Sequence, residues 1–198
     1  LADGTVELDP NGPYTQTFDS LATAGSSTVL PLGWSLHETG SSAVADGSYR
    51  APAPGSSAGD TYSFGATGSS ERAFGSLRSN NLIPLIGVKF TNNTGATLDA
   101  LAIGYTGEQW RVGPPSRGPD RLDFQFSTDA TSLATGTWQD YDALDFSSPT
   151  TTGPAGAVDG NATANRKAVS ATIPGLSIAK GQSFWLRWVD ADIPGADD

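Results

Sequence analysis

Two stretches of this 198-residue chain concentrate the residue types that do chemistry. The first, SFWLRWVDADIPGADD at 183–198, runs from an aromatic strand pattern into Asp190, Asp192, Asp197 and Asp198. Carboxylates and free carbonyls in a Pro/Gly turn make the oxygen-rich, flexible shell that Ca2+ takes with about 6–8 ligands. These four aspartates are therefore candidate metal ligands, with Ca2+ the candidate cofactor. On strand parity Phe184, Leu186, Trp188 and Asp190 share a side, which puts Asp190 at the rim of a core. A carboxylate there is costly unless paired or metal-bound. The spacing is neither that of an EF-hand nor that of a nonapeptide repeat, and the competing expectation is a solvated acidic turn with Asp190 paired to Arg111 or Arg187.

The second stretch, GYTGEQWRVG at 104–113, sets Glu108, Trp110 and Arg111 within four residues. An indole face with charged donors and acceptors around it suits a sugar or peptide. Glu108, Trp110, Arg111 and Arg187 are the candidate ligand-binding residues. The alternative is core packing of Trp110 and an ion pair between Glu108 and Arg111, Arg121 or Arg187.

Catalytic patterns are poorly represented. His37 is the single histidine and there is no cysteine, so two-histidine and cysteine metal sites are excluded. Any Ser–His–Asp triad would have to use His37, and no Gly-x-Ser-x-Gly elbow surrounds a serine. Glycoside hydrolysis needs two carboxylates flanking a bond; the glutamates are Glu7, Glu38, Glu71 and Glu108, and the Glu-x-Asp-x-x-Glu pattern of sandwich-fold glucanases is missing. Phosphate loops and dinucleotide fingerprints are absent too. A non-enzyme is expected. Two tripeptides, Asn92–Thr94 and Asn161–Thr163, match the glycosylation pattern.

The elements that must position these residues are strands. Period-two alternation dominates, as in Leu122, Phe124 and Phe126 of RLDFQFSTD or Ile86, Val88 and Phe90 of LIGVKF. YTQTF aligns Tyr14, Gln16 and Phe18; GWSLHE offers Trp34 and Leu36; Tyr62, Phe64, Phe74 and Leu77 anchor two short strands. In LDALAIGYTGEQWRV the large residues change parity after Gly107, which predicts a bulge or bend there that re-aims Glu108 and Gln109. IPGL at 173–176 reads as a turn before the last strand. About ten short strands with Gly/Pro turns predict an all-β, two-sheet antiparallel β-sandwich, jelly-roll-like. Residues 1–198 read as a single domain with an N-terminal extension at 1–13 and long surface loops at 43–59 and 147–165.

The balance of 11 basic against 21 acidic residues gives a formal charge of −10. Such a surface repels phosphate backbones, so neither nucleic acid nor an anionic membrane is an expected partner, and no apolar run approaches the ~20 residues of a span. Abundant Gly, Ser, Thr and Ala suggest an exported bacterial domain, secreted or at the cell surface, and the absence of Cys does not exclude it. The chain starts at Leu1 and holds no Met, as expected of a processed piece of a longer precursor.

Taken in series, YTQTFDSL, LPLGW, GDTYSFG, SSERAFGSL, IGVKFTNNTG, AIGYTGEQWR, DRLDFQFSTD and SFWLRWVDADIPGADD resemble a β-sandwich accessory module of large secreted bacterial proteins. Such modules accompany extracellular nuclease or phosphoesterase domains, adhesin-like repeats and surface-sorting signals. The resemblance implies secretion, an all-β fold and a non-catalytic role in adhesion, surface structure or targeting. In that family the acidic turn is followed by a further short strand, so the resemblance implies a sandwich lacking its final strand and open at an edge to strand addition. Three functions follow as expectations: a Ca2+-stabilised surface module, a carbohydrate-binding module of a secreted hydrolase, and a self-assembling filament subunit using strand exchange. The partners they imply are a glycan, a surface protein or further copies of the chain.

Overall fold

The computed structural model describes residues 4–41, 43–51, 56–114 and 118–191. They form fifteen strands and two short 3-10 turns. In chain order the strands are β1 (Val6–Leu8), β2 (Gly25–Ser27), β3 (Trp34–Gly40), β4 (Tyr49–Ala51), β5 (Asp60–Phe64), β6 (Ala73–Leu77), β7 (Leu82–Asn92) and β8 (Leu98–Glu108). There follow β9 (Arg111–Val112), β10 (Arg121–Ser127), β11 (Gln139–Asp140), β12 (Phe146–Ser147), β13 (Gly156–Ala157), β14 (Arg166–Ile178) and β15 (Ser183–Ala191).

The fold is all-β and sandwich-like. One sheet is built on three long antiparallel strands, β7, β15 and β10. Two short strands lie end to end along each outer side: β3 and β1 beside β7, β12 and β11 beside β10. Facing it are a four-stranded sheet, β2-β4-β5-β6, and the β8–β14 ribbon. Two pairings are parallel, β1 with β7 and β4 with β5, a departure from the antiparallel expectation. Alternation explains the layering, since one side of each strand is apolar. Trp34, Val88, Phe90, Phe124, Phe184 and Leu186 share a core with Tyr49 and Phe74 of the facing sheet and Leu101, Val169 and Ile173 of the ribbon.

Trp188 is the hub of that core. Its indole stacks on Trp34 at 5.9 Å and takes Tyr105 and Phe124 edge-on at 5.4 and 5.3 Å. Burial pushes the Tyr105 phenol up to about 12, and its hydroxyl donates to the Leu144 carbonyl at 2.5 Å.

Several expectations are corrected. The N-terminal extension holds β1, and the 43–59 loop holds β4, whose Tyr49 is 1 % exposed. The 147–165 loop contains β13 and a 3-10 turn at Thr163–Asn165. YTQTF forms no strand: Tyr14, Gln16 and Phe18 keep their common parity toward the core, but Phe18 takes φ 65°, with its N–H donating to Gln16 Oε1. The ladder between β8 and β14 runs unbroken past Gly107, so no bulge forms there. Gly107 is instead a close approach: a Cβ at that position would run into the Phe146 ring. The irregularity lies across the ribbon, between Pro174 and Ile178. IPGL is accordingly part of β14, where proline is tolerated because an edge strand needs no second donor. The chain reverses later, where Gln182 N donates to Ala179 O and Gly181 takes φ 79°.

Candidate functional site

The end of β8 brings acid, amide, guanidinium and two rings together. Glu108 faces Arg166 directly across the ribbon, because the register pairs these two residues. Arg166 Nη2 lies 2.7 Å from Glu108 Oε1, with the two side chains 38 % and 7 % exposed. Trp110 Nε1 donates to Glu108 Oε2 at 3.1 Å. The indole stacks on Phe64 of β5, ring centroids 6.3 Å apart and planes within 7°. The backbone of Gly160 presses on the indole so closely that a Cβ there would overlap it.

The loop between β5 and β6 adds Glu71, whose Oε2 accepts from Asn161 Nδ2 at 2.6 Å. Burial first, and then the Glu71 charge, push the Glu108 carboxyl above the usual carboxylate range. Two carboxylates and one guanidinium thus share a half-buried cluster at the edge of two parallel rings.

The supporting loop is tightly braced. Gln109, 2 % exposed, donates to the carbonyls of Arg111 and Thr150 at 2.8 Å and accepts the Thr150 N–H at 2.8 Å. Asn165 donates to the Asp159 carbonyl at 2.8 Å, and Val158 N donates to Trp110 O at 3.0 Å. Gly107, with no side chain to displace Phe146, keeps β8 straight into this corner.

No family model, curated protein or solved structure matches this chain. What the site can do therefore rests on its own geometry.

Of the four candidate ligand-binding residues, Glu108 and Trp110 meet. Arg111 is half-buried on β9, which pairs with β13, and its Nε is buried. Arg187 belongs to the opposite side of β15 from the core. Its Nε donates to Gln125 Oε1 at 2.7 Å, its Nη1 donates to the Leu133 carbonyl, and its guanidinium sits 3.9 Å from the Trp138 ring centre. It pins the 128–138 loop. The cation on Glu108 is Arg166, in place of the expected Arg111, Arg121 or Arg187; Arg121 pairs instead with Asp123 at 2.5 Å.

The proposed metal group falls mostly outside the described residues: Asp192, Asp197 and Asp198 lie there. Asp190 is buried, as its parity implied. Ser76 Oγ donates to its Oδ2 at 3.0 Å, and Arg78 Nη1 donates to its backbone carbonyl at 3.0 Å. The basic neighbour is thus Arg78, where Arg111 or Arg187 was expected. Among the described residues no three His, Cys, Asp or Glu side chains are grouped to hold a metal ion.

Phe64, Glu71, Asn161 and Arg166 were not picked out from the sequence as one site. Only pairing shows that Arg166 opposes Glu108. The one local signal was the Asn161 tripeptide, a polar turn beside a glycine. The other tripeptide is a structural anchor: Asn92 is fully buried and donates to the carbonyls of Ala96 and Ile178 at 2.8 and 2.9 Å.

Proposed function

We propose that this chain is a non-catalytic β-sandwich module of an exported bacterial protein, which binds a hydroxyl-rich ligand of the glycan class at the Phe64–Glu71–Glu108–Trp110–Asn161–Arg166 cluster. The observation that carries this reading is the double engagement of Glu108. Its two oxygens are held by Arg166 and Trp110, so it fixes the neighbouring donors in place of exchanging protons. A glycosidase carboxylate must be free to give or take a proton at the glycosidic oxygen or at water. Glu71, Asn161 and the exposed side of Arg166 then present rigid acceptors and donors beside an aromatic edge, the combination that recognises sugar hydroxyls.

The setting supports a module over an enzyme. The chain is acidic, has no cysteine, and holds one histidine on an edge strand. Targeting of an attached domain to a surface glycan is the role this reading assigns. A glycan array probed with the intact chain tests it. Defined glycans should be retained, and Arg166→Gln should lose them while melting as a folded protein. Retention that is indifferent to Arg166 would overturn the reading.

A further inference from the structure

A second surface, along β3, fits a different kind of partner. Among the described residues β3 pairs with β7 alone, so beyond Trp34, whose N–H donates to the Pro31 carbonyl at 3.0 Å, its outer edge has no strand partner. A pocket of about 310 Å³ opens beside that edge, lined by Thr28, Leu30, Trp34, Leu36, Asp46 and Gly47. The loop bordering it carries the two large apolar side chains most exposed to solvent among the described residues, Val29 at 73 % and Leu32 at 63 %.

The rim is acidic. Glu38 accepts from Gly47 N at 3.1 Å and from Thr61 Oγ1 at 2.7 Å, while Asp60 pairs with Arg50 at 2.5 Å. Asp46 lies 3.9 Å from the same Arg50. Asp60 is buried on Arg50, so the carboxylates that the rim itself presents are Asp46 and Glu38. An occupant that pairs with the strand edge, packs on the Leu30, Trp34 and Leu36 wall of a mixed pocket and balances this rim must be extended, with apolar and basic side chains in alternation.

We propose that the β3 edge and its pocket form a strand-addition site for an extended peptide segment of another protein, apolar on one side and basic on the other. A second copy of this chain is disfavoured by its formal charge of −10. Backbone pairing would supply the affinity and the pocket the choice of side chain.

The test is a titration of the isotope-labelled full chain with a capped heptapeptide of alternating Val and Lys, followed by amide NMR shifts. Saturable shifts confined to residues 28–37 and 46–47 are expected, and the same peptide N-methylated at alternate residues should give none. Asp46→Asn keeps an acceptor for the Ser48 donors it now holds at 2.9 and 2.5 Å. It should weaken binding by about 1.4- to 5-fold, the range of one exposed charge pair. Shifts elsewhere, no shifts at millimolar peptide, or equal binding of the N-methylated peptide would overturn the proposal. So would a sedimentation profile showing that the chain dimerises and that this edge is the dimer contact.

Discussion

The indole nitrogen of Trp110 donates to Glu108, two residues back along the same chain, at 3.1 Å. A carboxylate is thereby fixed against a ring that itself stacks on Phe64. That one relationship makes the corner between β5, β8 and β14 rigid, and it explains why an indole here acts as a strut for a binding rim whose outward groups are Glu71, Asn161 and Arg166. Breaking it should loosen the corner: Trp110→Phe keeps the stack and loses the hydrogen bond to a charged group, which should cost about 1.5–3 kcal/mol in chemical denaturation.

Gly107 and Gly104 sit on opposite faces of the same strand and should respond oppositely to alanine. A methyl at Gly107 meets the buried Phe146 ring, whereas at Gly104 it lies 3.5 Å from Ser170 Cβ, an ordinary contact. Gly107→Ala should lower stability by about 1–3 kcal/mol through overpacking. Gly104→Ala should be neutral or stabilising by up to about 1 kcal/mol, since glycine is costly inside a strand. Paired urea melts read both.

Asp60 should make stability depend on pH. Burial pushes its carboxyl up to about 6 from 3.8, with the nearby Glu38 charge adding to the rise. A raised carboxyl holds its proton more tightly folded than unfolded. Its stabilising contribution is therefore fully present below about pH 4 and is lost as pH rises through 6. Between pH 4 and 7, Asp60→Asn should lack this downward slope, so the parent's melting temperature minus the variant's should fall as pH rises. A difference flat across that range would show that Asp60 does not titrate this way.

Ser76 and Asp190 join β6 to the end of β15 through one hydrogen bond of 3.0 Å. Arg78 also donates to the Asp190 backbone carbonyl, so contacts within the protein tie this end of β15 in place. Ser76→Ala should cost about 1–3 kcal/mol by leaving a buried acceptor short of a donor. Chelation with EDTA should leave the melting temperature unchanged. A drop that calcium reverses would return a metal to Asp190, Asp192, Asp197 and Asp198.

What could be read from the sequence follows the physics of alternation. Leu122, Phe124 and Phe126, or Ile86, Val88 and Phe90, announce their buried face locally, because a half-buried strand repeats every second residue. Short pieces such as Val6–Leu8 and Tyr49–Ala51 carry too few residues to show a period, and their strands exist through pairing, the first with β7 and the second with β2 and β5. At Gly107 the sequence suggested a bulge or bend, and only the distant Phe146 shows that the glycine serves a close approach. Two of the six residues of the candidate site were visible because Glu108 and Trp110 are neighbours in sequence. Glu71, Asn161 and Arg166 join them through register and loop closure, which local composition does not encode. Arg187 illustrates the converse: it shares an aromatic strand with the core yet faces outward to Trp138.

The central claim is that the Glu71–Glu108 corner binds a glycan without cleaving it. The direct measurement is calorimetric titration of a glycan retained on the array, using the parent chain and Glu71→Gln, with mass spectrometry of the glycan after prolonged incubation. Glu71→Gln keeps an acceptor for Asn161, so the fold should survive while affinity falls about tenfold or more with the loss of a charge-assisted hydrogen bond. The recovered glycan should be intact. Equal affinity of the two proteins, or a glycan shortened by the parent chain and spared by the variant, would contradict the account.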